Sequence, residues 1–235
     1  MSPTEADEPG AADRERHPNE APGAHGDEPV RVVVATGNAH KLEEIRAILH
    51  QSPGTVPVSL ELIPMTELRV PEPLEDGETF EANALIKAHA CAGATGSPAL
   101  ADDSGLEVDA LDGAPGVRSA RYAGEPSDDV ANNDKLLAAL AEVPAERRTA
   151  RFVCAAAVAL PDGRHQVVRA TMEGRLIDTP RGTHGFGYDP LFVSEAAGDG
   201  RTNAELRPEE KDALSHRGEA FRLLLPHLAA LLSGE

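Results

Sequence analysis

The chain has 235 residues and carries 40 acidic against 22 basic side chains, a formal net charge of −18, with 40% hydrophobic and only 3% aromatic residues. That length accommodates one large domain or two small ones, and so acidic a balance argues against a general nucleic-acid or anionic-membrane surface, which needs a basic footprint. No apolar run approaches the roughly 20 residues of a membrane span, and the N-terminus lacks the apolar core of a secretory signal.

Cys91 and Cys154 stand far apart with no CxxC spacing, so neither a zinc site nor a disulfide framework is expected. They read as reduced, buried thiols of a cytoplasmic protein. Residues 1–29 contain no Ile, Leu, Val or Phe, and their eight acids against Arg14 and Arg16 account for −6 of the net charge, leaving −12 on the rest. Such a segment buries too little apolar surface to offset its ordering entropy, so it reads as a disordered acidic tail. The folded unit is then expected over residues 30–235.

Val30 to Ala35 is a mostly β-branched run, read as a buried first strand. Thr36-Gly37-Asn38 turns the chain into a helix from about Ala39 to His50, with Leu42, Ile45 and Leu49 on one face. Lys41 falls in the first helical turn. Helix N-termini present free N–H groups and partial positive charge, so phosphate binding there has a physical basis. This is not a Walker A loop. Taken alone, an N-capping Asn38 beside a surface Lys41 accounts for the same residues.

Val58 to Ile63 is the second expected strand. After Pro64, Pro71 and Pro73, a helix runs from Thr79 to Cys91 with Phe80, Ala84 and Ala88 at four-residue spacing. Glu78 and Glu81 read as favourable charges at its N-terminus. Asn83 is a poor helix former in a helix-forming stretch, which a buried polar role would explain.

Pro98 to Ala101 reads as a short buried strand that ends at Asp102 and Asp103, followed by Ser104-Gly105. Parallel sheets present ligands beyond their strand ends, and paired carboxylates suit Mg2+ held jointly with phosphate oxygens. A plain turn is the competing reading, since Asp, Ser and Gly are turn residues. Leu106 to Leu111 reads as another strand, broken by Gly113-Ala114-Pro115-Gly116, and Ser127 as the cap of a helix reaching about Ala141.

Thr149 to Leu160 and Gln166 to Gly174 form two longer strands, joined by a hairpin turn at Pro161-Asp162-Gly163-Arg164. In Gly185-Phe186-Gly187-Tyr188-Asp189-Pro190, flanking glycines let the backbone approach a flat ligand on which Phe186 can stack. A tight turn with a core Phe is the plainer alternative. Pro190 to Val193 is a short strand. Beyond Lys211, Ser215-His216-Arg217-Gly218 opens a closing helix from His216 to about Leu232, apolar at Phe221, Leu224, Leu225, Leu228 and Leu232. Cations are disfavoured at a helix start, so His216 and Arg217 point to a compensating anion such as phosphate, or to base acceptors. Early β-α alternation with a later hairpin predicts a mixed-sheet α/β protein, one domain with two lobes.

In this order, T-x-N-x-x-K, E-x-G-x-T-F-x-x-N-A, A-D-D-S-G-L, G-A-P-G-x-x-S-A-R-Y, G-F-G-Y-D-P and S-H-R-G resemble the inosine triphosphate pyrophosphatase family over about residues 31–232. Two features depart from its pattern: His184 stands where the family usually has a glycine, and the acidic extension carries no motif. The resemblance implies a mixed twisted sheet flanked by helices, with the active-site cleft between two lobes. It implies hydrolysis of ITP, dITP and XTP to the monophosphate and pyrophosphate, which cleans the nucleotide pool.

By the same resemblance Asp103 is the proton acceptor that activates water and also a metal ligand, with Asp102 and Glu75 helping to hold Mg2+. Thr36, Asn38, Lys41 and Ser104 take the phosphates, Lys211 adds charge, and Gly37, Ala39 and His40 are further substrate-binding residues. Phe186 stacks on the purine, Tyr188 and Asp189 complete that wall, Gly187 is a further substrate-binding residue, and His216 and Arg217 read the base edge. A homodimer is implied as well. The readings that compete with this one are a pyrophosphatase for other modified nucleotides and a non-catalytic nucleotide-binding protein.

Overall fold

The computed structural model describes residues 29–51 and 59–234. All but the last residue of the expected acidic tail lies outside the described residues, as does Val58 of the expected second strand. The elements in chain order are β1 (Val30–Val34), α1 (Ala39–His50), β2 (Leu60–Pro64), α2 (Phe80–Thr95), β3 (Ala99–Val108), α3 (Asp129–Ala139), β4 (Thr149–Ala159), β5 (His165–Leu176), β6 (Phe192–Ser194), α4 (Pro208–Leu214) and α5 (His216–Ser233). One sheet holds all six strands in the order β2-β1-β3-β4-β5-β6. β1 runs parallel to β2 and β3, and the pairs from β3 to β6 are antiparallel. The expected mixed-sheet α/β class is what the chain adopts.

Side-chain alternation along the strands sorts the core into two faces. Val32, Val34 and Leu100 point to the face covered by α1 and α5, where Ile45, Ile48, Phe221, Leu224 and Leu228 meet them. Val33, Ala99 and Ala101 point the other way, with Ala155 and Ala157, onto Phe80, Ala84 and Ala88 of α2. Fully burying a side chain such as Phe221 contributes about 1.5–3 kcal/mol, so these helix stripes decide where the helices dock. A third cluster joins Leu106, Val108, Leu136, Phe152, Met172 and Phe192 at the far ends of β3, β4 and β5. The long strands β3, β4 and β5 therefore contribute to all three clusters.

Several expected boundaries change. The strands expected at Pro98 to Ala101 and Leu106 to Leu111 are joined in one ten-residue strand, β3, which ends at Val108, and Asp109–Leu111 form a short 3-10 turn. Asp102 and Asp103 lie in its middle, paired with Ala156 and Ala155 of β4, rather than at its end. Gly105 does not turn the chain: a Cβ there would lie 2.4 Å from Ser119 Oγ and 2.7 Å from Gly116 O, so the glycine admits the close approach of the 116–119 segment. The cap of α3 is Asp128, whose carboxylate accepts from the N–H groups of Val130 and Ala131, while Ser127 donates to Ala120 O. α2 runs past Cys91 to Thr95, where Gly96 stops it in the left-handed conformation. α4, opened by Pro208, was not expected. Cys91 and Cys154 are unpaired and buried, as expected.

Candidate active site

β1 pairs with β3 only at Val33–Ala99 and Val34–Leu100 and then turns away, while β3 continues. Beyond the carboxyl end of β1 opens a cleft of about 390 Å3. Its walls are the first turn of α1, the segment before α2, the middle of β3, the Gly185–Asp189 turn and the start of α5. A ligand site outside a strand's carboxyl end is thus realised at β1, not β3.

In the turn entering α1, Thr36 Oγ1 accepts from Asn38 N–H at 3.1 Å, and Asn38 Oδ1 accepts from the N–H groups of His40 and Lys41 at 2.9 and 3.2 Å. Asn38 is therefore a true N-cap, as the plainer reading had it. Lys41 is not a surface lysine. Its Nζ reaches inward to within 3.1 Å of Asp102 Oδ2. Gly37 donates its N–H to Glu72 Oε1 at 3.0 Å, so a carboxylate rests on this turn.

Asp102 faces α1 and α5. Besides Lys41, its Oδ2 accepts from Arg217 Nε and Nη2 at 3.3 and 3.2 Å, and Arg217 Nη2 also donates to Ser104 Oγ at 2.8 Å. Burial disfavours the Asp102 carboxylate, but Lys41 and Arg217 outweigh it and hold the group well below the usual range. Glu44, on α1, binds both Arg217 Nη1 and Lys211 Nζ, and Lys211 Nζ reaches Asp189 Oδ2 at 2.7 Å. The anions that compensate Arg217 at the start of α5 are thus protein carboxylates. His216 stacks on Phe152 at 4.9 Å and 9°. Burial first, and then repulsion from Arg217 and Lys211, push its pKa far down, which favours the neutral ring.

Asp103 faces α2. Its Oδ1 accepts from Lys87 Nζ at 3.1 Å and its Oδ2 from Asn83 Nδ2 at 3.2 Å. Asn83 Oδ1 in turn accepts from Gly77 N–H at 2.8 Å, which fulfils the buried polar role expected of it. Glu75 Oε1 lies 3.3 Å from the same Lys87 Nζ. Burial raises the Asp103 pKa, Lys87 and Lys41 offset this in part, and Glu75 raises it further; the net shift is upward. A carboxylate that holds a proton more readily than a free Asp is suited to accept one.

The Gly185–Asp189 turn brings Phe186 over the cleft. Its ring lies 5.5 Å from that of His40 at 13°, 5.0 Å from Lys211 Nζ and 5.7 Å from the Arg217 guanidinium carbon. Tyr188 is buried in the cleft wall and donates its hydroxyl to Ser119 O at 2.8 Å. Asp189 accepts from Phe186 N–H at 3.0 Å and from Asn203 Nδ2 at 3.1 Å, besides Lys211.

The profile describing the Ham1 family matches residues 32–227. The chain belongs to the Ham1 family. It is similar to a protein of Geobacter sulfurreducens called dITP/XTP pyrophosphatase, 56% identical over 199 residues that cover 84% of this chain and 96% of that one. Among solved structures, the HAM1 protein of Coxiella burnetii superimposes with a TM-score of 0.73 at 40% identity, covering 88% of this chain and 100% of that one. The nucleoside-triphosphatase / dITP/XTP pyrophosphatase of Mycobacterium abscessus gives a TM-score of 0.65 at 48% identity, covering 85% and 100%.

For a Ham1 protein read from sequence alone, most expected site residues converge. Thr36, Asn38, His40, Lys41, Glu75, Asp103, Ser104, Phe186, Gly187, Tyr188, Asp189, Lys211, His216 and Arg217 line the cleft. Gly37 and Ala39 belong to its first turn without lining it. Asp102 lies beneath the wall, 1% exposed, with Lys41 and Arg217 on one oxygen, so its place is that of an anchor for two cations. Glu44, Glu72, Lys87 and Asn203 escaped the sequence reading. Only Lys87 left a signal: it follows Asn83 by one helical turn in a stretch otherwise apolar, which marks a shared polar face.

The donor set also bears on a divalent cation. Glu75 and Asp103 both pair with the Lys87 ammonium, so two hard carboxylates stand together on the cleft wall, partly neutralised by that lysine. Among the described residues no group of three or more His, Cys, Asp or Glu is gathered as a complete metal cage. Two carboxylates plus substrate phosphates are the usual holding of Mg2+, so the residues present fit that ion.

Proposed function

We propose that this protein hydrolyses purine nucleoside triphosphates carrying non-standard bases, ITP, dITP and XTP, between the α and β phosphates, releasing the monophosphate and pyrophosphate. The observation that carries the reading is Asp103: a buried carboxylate fixed by Lys87 and Asn83, on a cleft wall opposite an amide-lined turn and a half-exposed Phe186. The names of the similar proteins point the same way.

In this reading Asp103 takes the proton of the attacking water, oriented through Asn83 and Lys87. The turn from Thr36 to Lys41 and Ser104 receives the phosphates, and Lys211 adds charge. Asp103 and Glu75 would hold Mg2+, which offsets the charge of the phosphates against an acidic pocket. Phe186 covers the purine, while His216 and Arg217 face its edge, Arg217 kept rigid by Glu44, Asp102 and Ser104. Asp102 acts through Lys41 and Arg217. Inosine and xanthine present O6 as an acceptor and N1–H as a donor, and adenine reverses both, so a donor aimed at O6 is left unpaired by adenine. Such a mismatch discriminates by about 10⁴–10⁵.

The reading treats residues 30–235 as one catalytic domain, working as a cytoplasmic homodimer on free nucleotides rather than on nucleic acid or membranes. No described helix is long and apolar enough to cross a membrane. The deciding experiment measures pyrophosphate release from ITP, dITP, XTP, ATP, GTP and dUTP, with Mg2+ and with EDTA. Fast Mg2+-dependent release confined to ITP, dITP and XTP is expected. Release chiefly from another nucleotide overturns the base assignments, and binding without release overturns the enzyme reading.

A further inference from the structure

Phe186 sits in a segment from 178 to 191 without helix or strand, and Gly182, Gly185 and Gly187 take positive φ of 84°, 74° and 61°. Glycines in that conformation leave many alternatives open, so the ring is delivered only as firmly as its backbone is held. Asp189 holds the Phe186 N–H. The next peptide is held from a different element. Gly187 donates its N–H to Asp129 Oδ2 at 2.7 Å, and its C=O accepts from Asn133 Nδ2 at 2.8 Å.

Asp129 and Asn133 are one turn apart on α3 and share a face. They are tied to each other, because Asn133 Nδ2 also donates to the main-chain oxygen of Asp129 at 2.7 Å. Asn133 is 9% exposed, and Asp129 lines the cleft. Neither residue is needed to start the helix, since Asp128 supplies the N-cap. Both hydrogen-bonding groups of Gly187 are therefore taken by α3, across 58 and 54 residues of sequence.

We infer that Asp129 and Asn133 are positioning residues for Phe186: a two-point clamp on Gly187 that sets the height of the stacking ring over the nucleobase. The inference rests on the proposed function in one respect, that Phe186 stacks on the base. A clamp of this kind acts on binding of the base and not on the chemistry at Asp103. It also weighs more for a purine, whose larger face has more stacking to lose, than for a pyrimidine.

The test uses the full chain, steady-state kinetics with ITP, and competitive inhibition of ITP hydrolysis by dUTP, on Asp129→Ala, Asp129→Asn, Asn133→Ala, Phe186→Ala and Asp129→Ala/Phe186→Ala, each checked for an unchanged melting curve. Losing one such hydrogen bond should raise KM for ITP about 5- to 20-fold with kcat within about twofold. The rise in the inhibition constant of dUTP should be smaller. Asp129→Asn, which keeps an oxygen to accept from Gly187, should restore most of the loss. In the Phe186→Ala background, Asp129→Ala should add less than about a twofold change, because residues acting through one another are not additive. If Phe186→Ala alone leaves KM unchanged, stacking and the clamp fail together. If Phe186→Ala raises KM but the Asp129 and Asn133 variants do not, or if the effects multiply in the double variant, the clamp alone is overturned. Should a variant melt early, the Asp129→Asn comparison decides.

Discussion

Asp102 and Asp103 are neighbours on one strand, yet they inhabit different chemistries. Alternation sends Asp102 toward α1 and α5, where Lys41 and Arg217 meet one of its oxygens, and sends Asp103 toward α2, where Lys87 and Asn83 take one oxygen each. Burial acts on both. Two facing cations turn the balance downward for Asp102, whereas Lys87 and Lys41 only partly offset burial at Asp103. The lesson is that adjacent carboxylates form no pair unless the backbone puts them on one side. Here the strand gives one to the architecture and one to the cleft.

The sharpest way to break this contrast is to neutralise each acid in turn. Asp103→Asn should lower turnover about 10²–10⁴-fold, the usual worth of a general base, with a smaller loss of stability than Asp102→Ala, since Lys87 keeps Glu75; pyrophosphate release and calorimetry read the two quantities. Asp102→Ala should do the reverse in kind. It takes a carboxylate from the buried Arg217, which keeps Glu44 and Ser104, and from the half-buried Lys41; breaking a buried pair typically destabilises by about 3–5 kcal/mol, and chemical denaturation would show it. Equal stability losses in the two variants would erase the distinction.

A milder test stays on the α1/α5 side. Asp212 is 5% exposed, and burial, then repulsion from Glu44, push its pKa up to about 6. A carboxyl raised above its unfolded value is stabilising while protonated, and that contribution is lost as pH rises from about 4 through about 6. Asp212→Asn should therefore raise stability at pH 8 by up to about 3 kcal/mol and leave it unchanged at pH 4. Thermal melts at both pH values check the sign.

Much of this was legible in the chain. The Val32–Val34 run, the α1 and α5 stripes and the 149–176 hairpin announce themselves because periodicity is local. Asn83 was legible as a misfit in its helix. What escaped was set by distance. Gly105 reads as punctuation, but it is a glycine because Ser119 and the Gly116 carbonyl press against it. Glu44 carries no local signal, and only the fold brings Lys211 and Arg217, more than 160 residues later, to its two oxygens. The acid pair was recognised while its geometry was misread, since Ser-Gly after two aspartates mimics a turn.

The Gly37–Glu72 contact gives the turn before α1 an unexpected thermodynamics. An amide aimed at anions is already in use, by a carboxylate carried on the segment that also brings Glu75 to Lys87. Any phosphate that takes the Gly37 N–H enters by exchange, one anion for another. Its observed affinity is then a difference between two contacts, lowered by whatever fraction of molecules keeps Glu72 in place.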